Sequence, residues 1–321
     1  MNKQFILFGL IFVLFSCDKK SKVEKEVEEI PVEISVNRFD KAFFESNPQE
    51  LPQIKEQYPF FFPESTPDEV WIEKLQNPLW RELYGEVQQK FGDFGKQTGE
   101  IEDLVKHIRY YFPDTKTPAV FTVIGDMDYT SKALYAKDTI VIALELYLGK
   151  DHKYYVNEFP KYLQQNFDES QMMPDIVSSF AYGKVPPPNN TLISQMIYAG
   201  KELYLKDVLL PEHTDAQKIG YQPEQITWCE ENESYMWRYF IENNLLYDSD
   251  SKLASRFIQP APFSKFYLEI DNESPGRVGE WIGWQIVRSY MENNEVPLQQ
   301  LLETDARQIF EKSKYKPKKN E

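Results

Sequence analysis

Residues 276–293 fix more of the fold than any other stretch. Val278, Trp281, Ile282, Trp284, Ile286, Val287, Tyr290 and Met291 cover more than half of the circumference at helical spacing. A helix that is apolar on most sides has to be surrounded. Gly279 and Gly283 stand one turn apart. Each costs about 1 kcal/mol of helix propensity relative to Ala, and the return is close approach of another helix or strand. Glu280 and Arg288 are charged exceptions that need partners in such a setting. Arg277, just outside, is placed to serve Glu280 or the C-terminus of a neighbouring helix. The plain expectation is a central core helix. The functional alternative makes Arg277, Glu280, Trp281 and Trp284 the wall of a cleft or a partner surface.

The N-terminus sets the expected address. Asn2 and Lys3 precede an apolar run from Phe5 to Phe15, broken only by Gly9. About 11 apolar residues are too few to span a bilayer, which takes about 20, but they suit the core of a secretion signal. Leu14-Phe15-Ser16-Cys17 resembles the bacterial lipobox, which implies cleavage after residue 16 and acylation of Cys17. Several acyl chains hold far better than one, because each buried methylene contributes roughly 0.8 kcal/mol. Residues 17–29 then read as the acylated Cys and a flexible charged tether, 30–312 as a single globular domain, and 313–321 as a basic disordered tail.

Charge narrows the partners. The chain carries 36 Lys and Arg against 51 Asp and Glu, a net charge of −15. Nucleic acid is therefore no partner, since neutralising phosphates takes a basic face. An acidic body also repels anionic headgroups, which predicts that it stands off the bilayer rather than lying on it. Two cysteines exclude a disulfide scaffold, and with Cys17 acylated, Cys229 reads as a small buried hydrophobe.

Between tether and tail the pattern predicts an α+β fold, predominantly helical, with one small antiparallel or mixed sheet. Val32, Ile34 and Val36 alternate as a strand. Residues 120–124, 132–136 and 139–146 give three more, whose short links suggest a meander. Helical periodicity covers 69–91 with a break at Asn77-Pro78, then 100–112, 154–166 with a break at Pro160, 171–181, 190–210, 224–247 and 298–312. Pro223 sits at a first helical position. Residues 58–63 form an aromatic loop clamped by prolines.

Several blocks stand in one order and spacing: Gly149-Lys150-Asp151-His152, Met196-Ile197-Tyr198, Ile219-Gly220-Tyr221, Trp228-Cys229-Glu230-Glu231-Asn232-Glu233, and the run from Ser274 to Val287. Together they resemble the GldB family, the gliding motility lipoproteins of the Bacteroidetes, over nearly the whole chain. The resemblance implies a membrane-anchored envelope lipoprotein, its soluble domain facing the periplasm. It implies a non-catalytic role in gliding through contacts with other gliding or secretion envelope proteins, and no cofactor. A more distant similarity to zincin-like metallopeptidases follows the order of elements, with the helix pair at 171–181 and 192–205.

The residues give catalysis little to work with. A zincin needs two His one helical turn apart with a Glu between them. His107, His152 and His213 are scattered, and His107 lies off the apolar stripe of its helix, which reads as a solvated position. Ala199 stands where a ligand would be useful, and Glu202 with Lys206 forms an ordinary i,i+4 pair. Neither G-x-S-x-G nor a phosphate-binding Gly loop is present. Asp126 and Asp128, two apart in a Gly-led turn, suit a weak hard-cation site or, more plainly, an Asx-stabilised turn. A divergent hydrolase, metallopeptidase-like or carbohydrate-acting, is the alternative function. A glycan-binding face at Trp228, Tyr235, Trp237 and Tyr239 is a third, though at helical spacing such residues are more often core.

Overall fold

The computed structural model describes residues 21–318. Helix α1 (Lys22–Glu28) leads into strand β1 (Val36–Arg38), then α2 (Phe39–Phe44), α3 (Leu51–Gln57), α4 (Asp68–Gln76), α5 (Pro78–Phe91) and α6 (Gly95–Tyr111). Strands β2 (Ala119–Val123), β3 (Ala133–Ala136) and β4 (Thr139–Ala143) follow. The rest is helical: α7 (Lys161–Gln164), α8 (Met172–Tyr182), α9 (Leu192–Leu209), α10 (Asp215–Ile219), α11 (Pro223–Glu242), α12 (Lys252–Phe257), α13 (Val278–Asn293), α14 (Leu298–Glu303) and α15 (Ala306–Ser313).

The sheet is mixed, in the order β1-β2-β4-β3. β2 runs parallel to both β1 and β4, and only β3 and β4 pair as an antiparallel hairpin. The expected meander is thus corrected. The β2–β3 link carries its own 3-10 turn, Tyr129–Ser131, long enough for the chain to step past β4's place to the outer edge. The turn at Lys137-Asp138, with Lys137 left-handed at φ 53°, then folds β4 back into the interior. Val120, Thr122, Tyr135, Ile140 and Ile142 are buried in strict alternation, and α8 packs along β3. The rings of Tyr58, Phe60 and Phe61, in the proline-clamped loop, sit 6.5, 4.9 and 5.8 Å from Phe121.

The core is organised on α13, which α9, α11, α12 and α15 surround. Its crossing with α9 is extremely close. A methyl group on Gly283 would lie 1.8 Å from the Met196 carbonyl oxygen, and one on Gly200 would lie 2.3 Å from that of Gly283. The helix-propensity cost of these glycines is returned as backbone-to-backbone packing.

Five expectations fail locally. The charged stretch read as a tether is helical from Lys22. Ser21 caps it by accepting from the Glu24 N–H at 3.1 Å, and Val27, 2% exposed, packs it onto α6. This same helix covers His107, which is buried rather than solvated. One ring nitrogen pairs with the Asp103 carbonyl at 2.8 Å and the other with Glu24 at 3.4 Å. The tail is held as far as it is described: Ser313 is fully buried, and the Tyr315 hydroxyl donates to Glu233 at 2.6 Å. The last predicted helix is two, because Asp305 caps a new start by accepting from Arg307 and Gln308. Most of 154–166 is turns, since the Gln164 amide donates to the carbonyls of Tyr155 and Phe159 and pulls the chain into a compact loop.

Candidate functional site

Arg277 opens α13 in the left-handed region, φ 64°. From there its guanidinium donates to Glu280 at 3.0 Å and to the Gly220 carbonyl at 3.3 Å. Gly220, at φ 71°, closes α10, so Arg277 serves both partners open to it in sequence, a carboxylate and the negative end of a helix. Arg277 and Glu280 form one wall of a cavity of about 150 Å³ that Asp175, Ser178, Glu202, Lys206 and Lys218 also line.

The chemistry of this cavity is that of paired charges. Lys132 meets Asp175 at 2.6 Å, Lys206 meets Glu202 at 3.4 Å, and Arg277 meets Glu280. Ser178 adds a hydrogen bond to Glu202 at 2.7 Å. Burial raises the Glu280 carboxyl above its ordinary range; Arg277 pulls it back, and neighbouring Glu202 pushes it up again. The cavity lies between α8 and α9, the pair to which the zincin comparison points. Where a metal would need neutral imidazoles and free carboxylates, each acid here already has its own cation. His107, His152 and His213 lie elsewhere: against α1, 3.6 Å from Glu86, and in the turn after α9. Among the described residues no group of three or more His, Cys, Asp or Glu is placed to hold a metal ion.

Trp281 and Trp284 belong to the core, at 3% and 0% exposure, and offer no partner surface. The Trp284 indole donates to Asp207 at 2.8 Å, and Arg288 stacks 3.7 Å above its ring. Arg288 also grips Asp207 and Asp215 with four hydrogen bonds of 2.7 to 2.8 Å. The charged exceptions on α13 thus both have partners.

Asp126 and Asp128 act separately. Asp126 is exposed and meets Lys74 at 3.3 Å. Asp128 accepts from the Thr130 hydroxyl and amide at 2.6 and 3.0 Å, and these bonds hold its carboxyl below the ordinary range. That is the Asx turn. On α11, Trp228, Trp237 and Tyr239 pack on the core, leaving only Tyr235 of the four largely exposed. Cys229 is buried and free; burial pushes its thiol up. Cys17 lies outside the described residues.

Two buried charges are not evident from motif reading. Glu145, 1% exposed, lies against Gly125, and burial raises its carboxyl to about 7. Its signal is a lone acid inside the apolar run 140–148. Lys201 donates to the carbonyls of Leu302 and Thr304, both at 2.7 Å, and caps the end of α14. Nothing local to residue 201 announces a partner a hundred residues away.

No helix among the described residues is long and apolar enough to cross a membrane. No curated protein and no solved structure matches the chain. The model of one family, gliding motility protein GldB, matches residues 20–317. That span takes in α1, the sheet, the charged cavity and the docked tail, and the chain belongs to the family of gliding motility protein GldB.

Proposed function

We propose that this gliding motility protein is held in the cell envelope by acyl chains on Cys17, with its body in the periplasm, and that it works by binding other envelope proteins of the gliding or secretion machinery. The family match over residues 20–317 carries the reading. The charge-paired cavity supports a non-catalytic role: Glu202 and Glu280 are each committed to a cation, whereas a general acid or base must be free to exchange its proton with substrate.

Two variants in gliding cells test it. Cys17→Ser is expected to accumulate uncleaved precursor, lose palmitate labelling and stop gliding; labelling that persists refutes the anchor. Glu202→Gln keeps the shape of the cavity and removes its candidate base. Gliding at the wild-type rate is expected. Loss of gliding with normal folding and envelope level would refute the non-catalytic reading. Cross-linking in intact cells, read by mass spectrometry, then identifies the partners.

A further inference from the structure

Helix α1 is attached to the body quite differently from the chain that follows it. Past the turn at Glu29 and Ile30, the backbone is pinned on its own account. The Pro31 carbonyl accepts from Arg109 at 2.9 Å, and the Ile34 N–H donates to Glu102 at 3.0 Å. Strand β1 therefore keeps its place whether or not α1 is seated. Helix α1 itself has seven residues and a single buried side chain, Val27. Its polar attachments to α6 include Glu24 to His107 at 3.4 Å and Tyr110 to Glu26 at 2.9 Å, both made by side chains rather than by backbone. A helix of this length does not persist alone in water, so off the body it unravels into extended chain.

The position of the seat gives this consequence. Ser21, where α1 begins to be held, is four residue steps from Cys17. Pro31, the next fixed point, is fourteen steps from it. At about 3.6 Å per residue, the leash reaches at most about 14 Å with α1 seated and about 50 Å with it released. We propose that α1 is a releasable latch that sets the height of the body above the bilayer, close when docked on α6 and far when freed. This rests on the reading of Cys17 as the lipid anchor. The latch also revises the fixed stand-off expected from an unstructured tether, since the seated state keeps the body near the surface.

The test uses the full-length lipoprotein in vesicles and supported bilayers of phosphatidylethanolamine and phosphatidylglycerol. Amides of α1 are expected to exchange at least about 100-fold faster than those of α9 and α13, as a locally opening unit does. Trypsin is expected to cut at Lys25 while the body stays whole. Val27→Asp should raise that cutting at least about tenfold, and neutron reflectometry should place the body about 10 Å further out, the difference in mean coil length between four and fourteen residues. A short bis-maleimide bridge between Glu24→Cys and His107→Cys should suppress both changes. Exchange of α1 at the global unfolding rate overturns the latch, as does an unchanged height in Val27→Asp. Should Val27→Asp unfold the body, the bridged protein decides: trypsin cutting at Lys25 no slower than without the bridge overturns the proposal. An unacylated Cys17 in the mass spectrum overturns the anchor reading, and with it the height change, while the exchange contrast still reports whether α1 lets go.

Discussion

Gly283→Ala is the sharpest probe of the core. The new methyl would stand 1.8 Å from the Met196 carbonyl oxygen, and contacts under 3.0 Å have to be relieved. The obstacle is backbone on a neighbouring helix, so no rotamer change clears it. Helices α9 and α13 must part by about the difference, more than an ångström, and a gap of 0.5 to 1 Å already forfeits roughly a quarter to a half of the dispersion across it. Overpacking a well-packed core costs about 1–3 kcal/mol, and a rigid backbone contact belongs near the upper end. Replacing Gly by Ala within a helix gives back about 1 kcal/mol. The net loss is about 2 kcal/mol, or a fall of roughly 4 °C in melting temperature for a body of this size. Gly85→Ala in α5 is the control, because that position is exposed with nothing within 4 Å. Only the propensity gain applies there, and a rise of about 2 °C is expected. Thermal melts followed by circular dichroism read both variants. If Gly283→Ala melts at or above the wild-type temperature, the account of the glycines as a packing device is wrong.

Arg288→Ala takes two hydrogen bonds from each of Asp207 and Asp215, while Asp207 keeps Trp284 and Lys218, and should cost about 1–3 kcal/mol by urea denaturation; Arg288→Lys, without the planar fork, should fall between. Glu145 binds its proton more tightly folded, with a carboxyl at about 7 against 4.5 ordinarily. Between those values the unfolded chain is ionised and the folded one is not, so stability falls as pH rises and the full penalty is present above about 7. Glu145→Gln should therefore stabilise the protein by about 3 kcal/mol at pH 8 and hardly at all near pH 4.5; equal shifts at both pH values would contradict this. Lys201 has the mirror-image behaviour, since burial lowers its ammonium to about 8 from 10.5. Its penalty applies below pH 8 and fades towards 10.5, yet Lys201→Met leaves the Leu302 and Thr304 carbonyls without their donor and should still lose about 1–3 kcal/mol at pH 7.

Local pattern revealed the elements whose cause is local. The all-round apolar surface of 278–293 identified the central helix, Asn77-Pro78 the break between α4 and α5, and short apolar runs three of the strands, whereas the strand read from the alternation of Val32, Ile34 and Val36 forms only from Val36 on. Arg277 could be given both its partners from its position alone. What stayed hidden depends on distant chain. His107 is off the stripe of its own helix and is buried only because α1, some eighty residues earlier, lies over it. Helix α1 was obscured by its charge, although Ser21 with Glu24 three residues on, and Val23 with Val27 one turn apart, carry a cap and a stripe. Strand order is not written in any strand: β2 and β4 are both β-branched and apolar and both lie inside, and only the turn after β3 puts β4 rather than β3 beside β2. The sequence likewise presents Glu202 and Lys206 as an ordinary i,i+4 pair, with nothing to join them to Arg277 and Glu280. Packing of α8, α9, α10 and α13 is what turns them into a cavity.

Placing the centre of the body on α13 has a consequence for biogenesis. The element around which four helices assemble begins at Val278, so a ribosome has made most of the polypeptide before the nucleus of the body exists. Strand β1 likewise waits for β2, eighty-odd residues downstream. Contacts this remote in sequence form slowly. A body completed so late in synthesis suits the export proposed above, and any product truncated ahead of residue 278 is left without a middle.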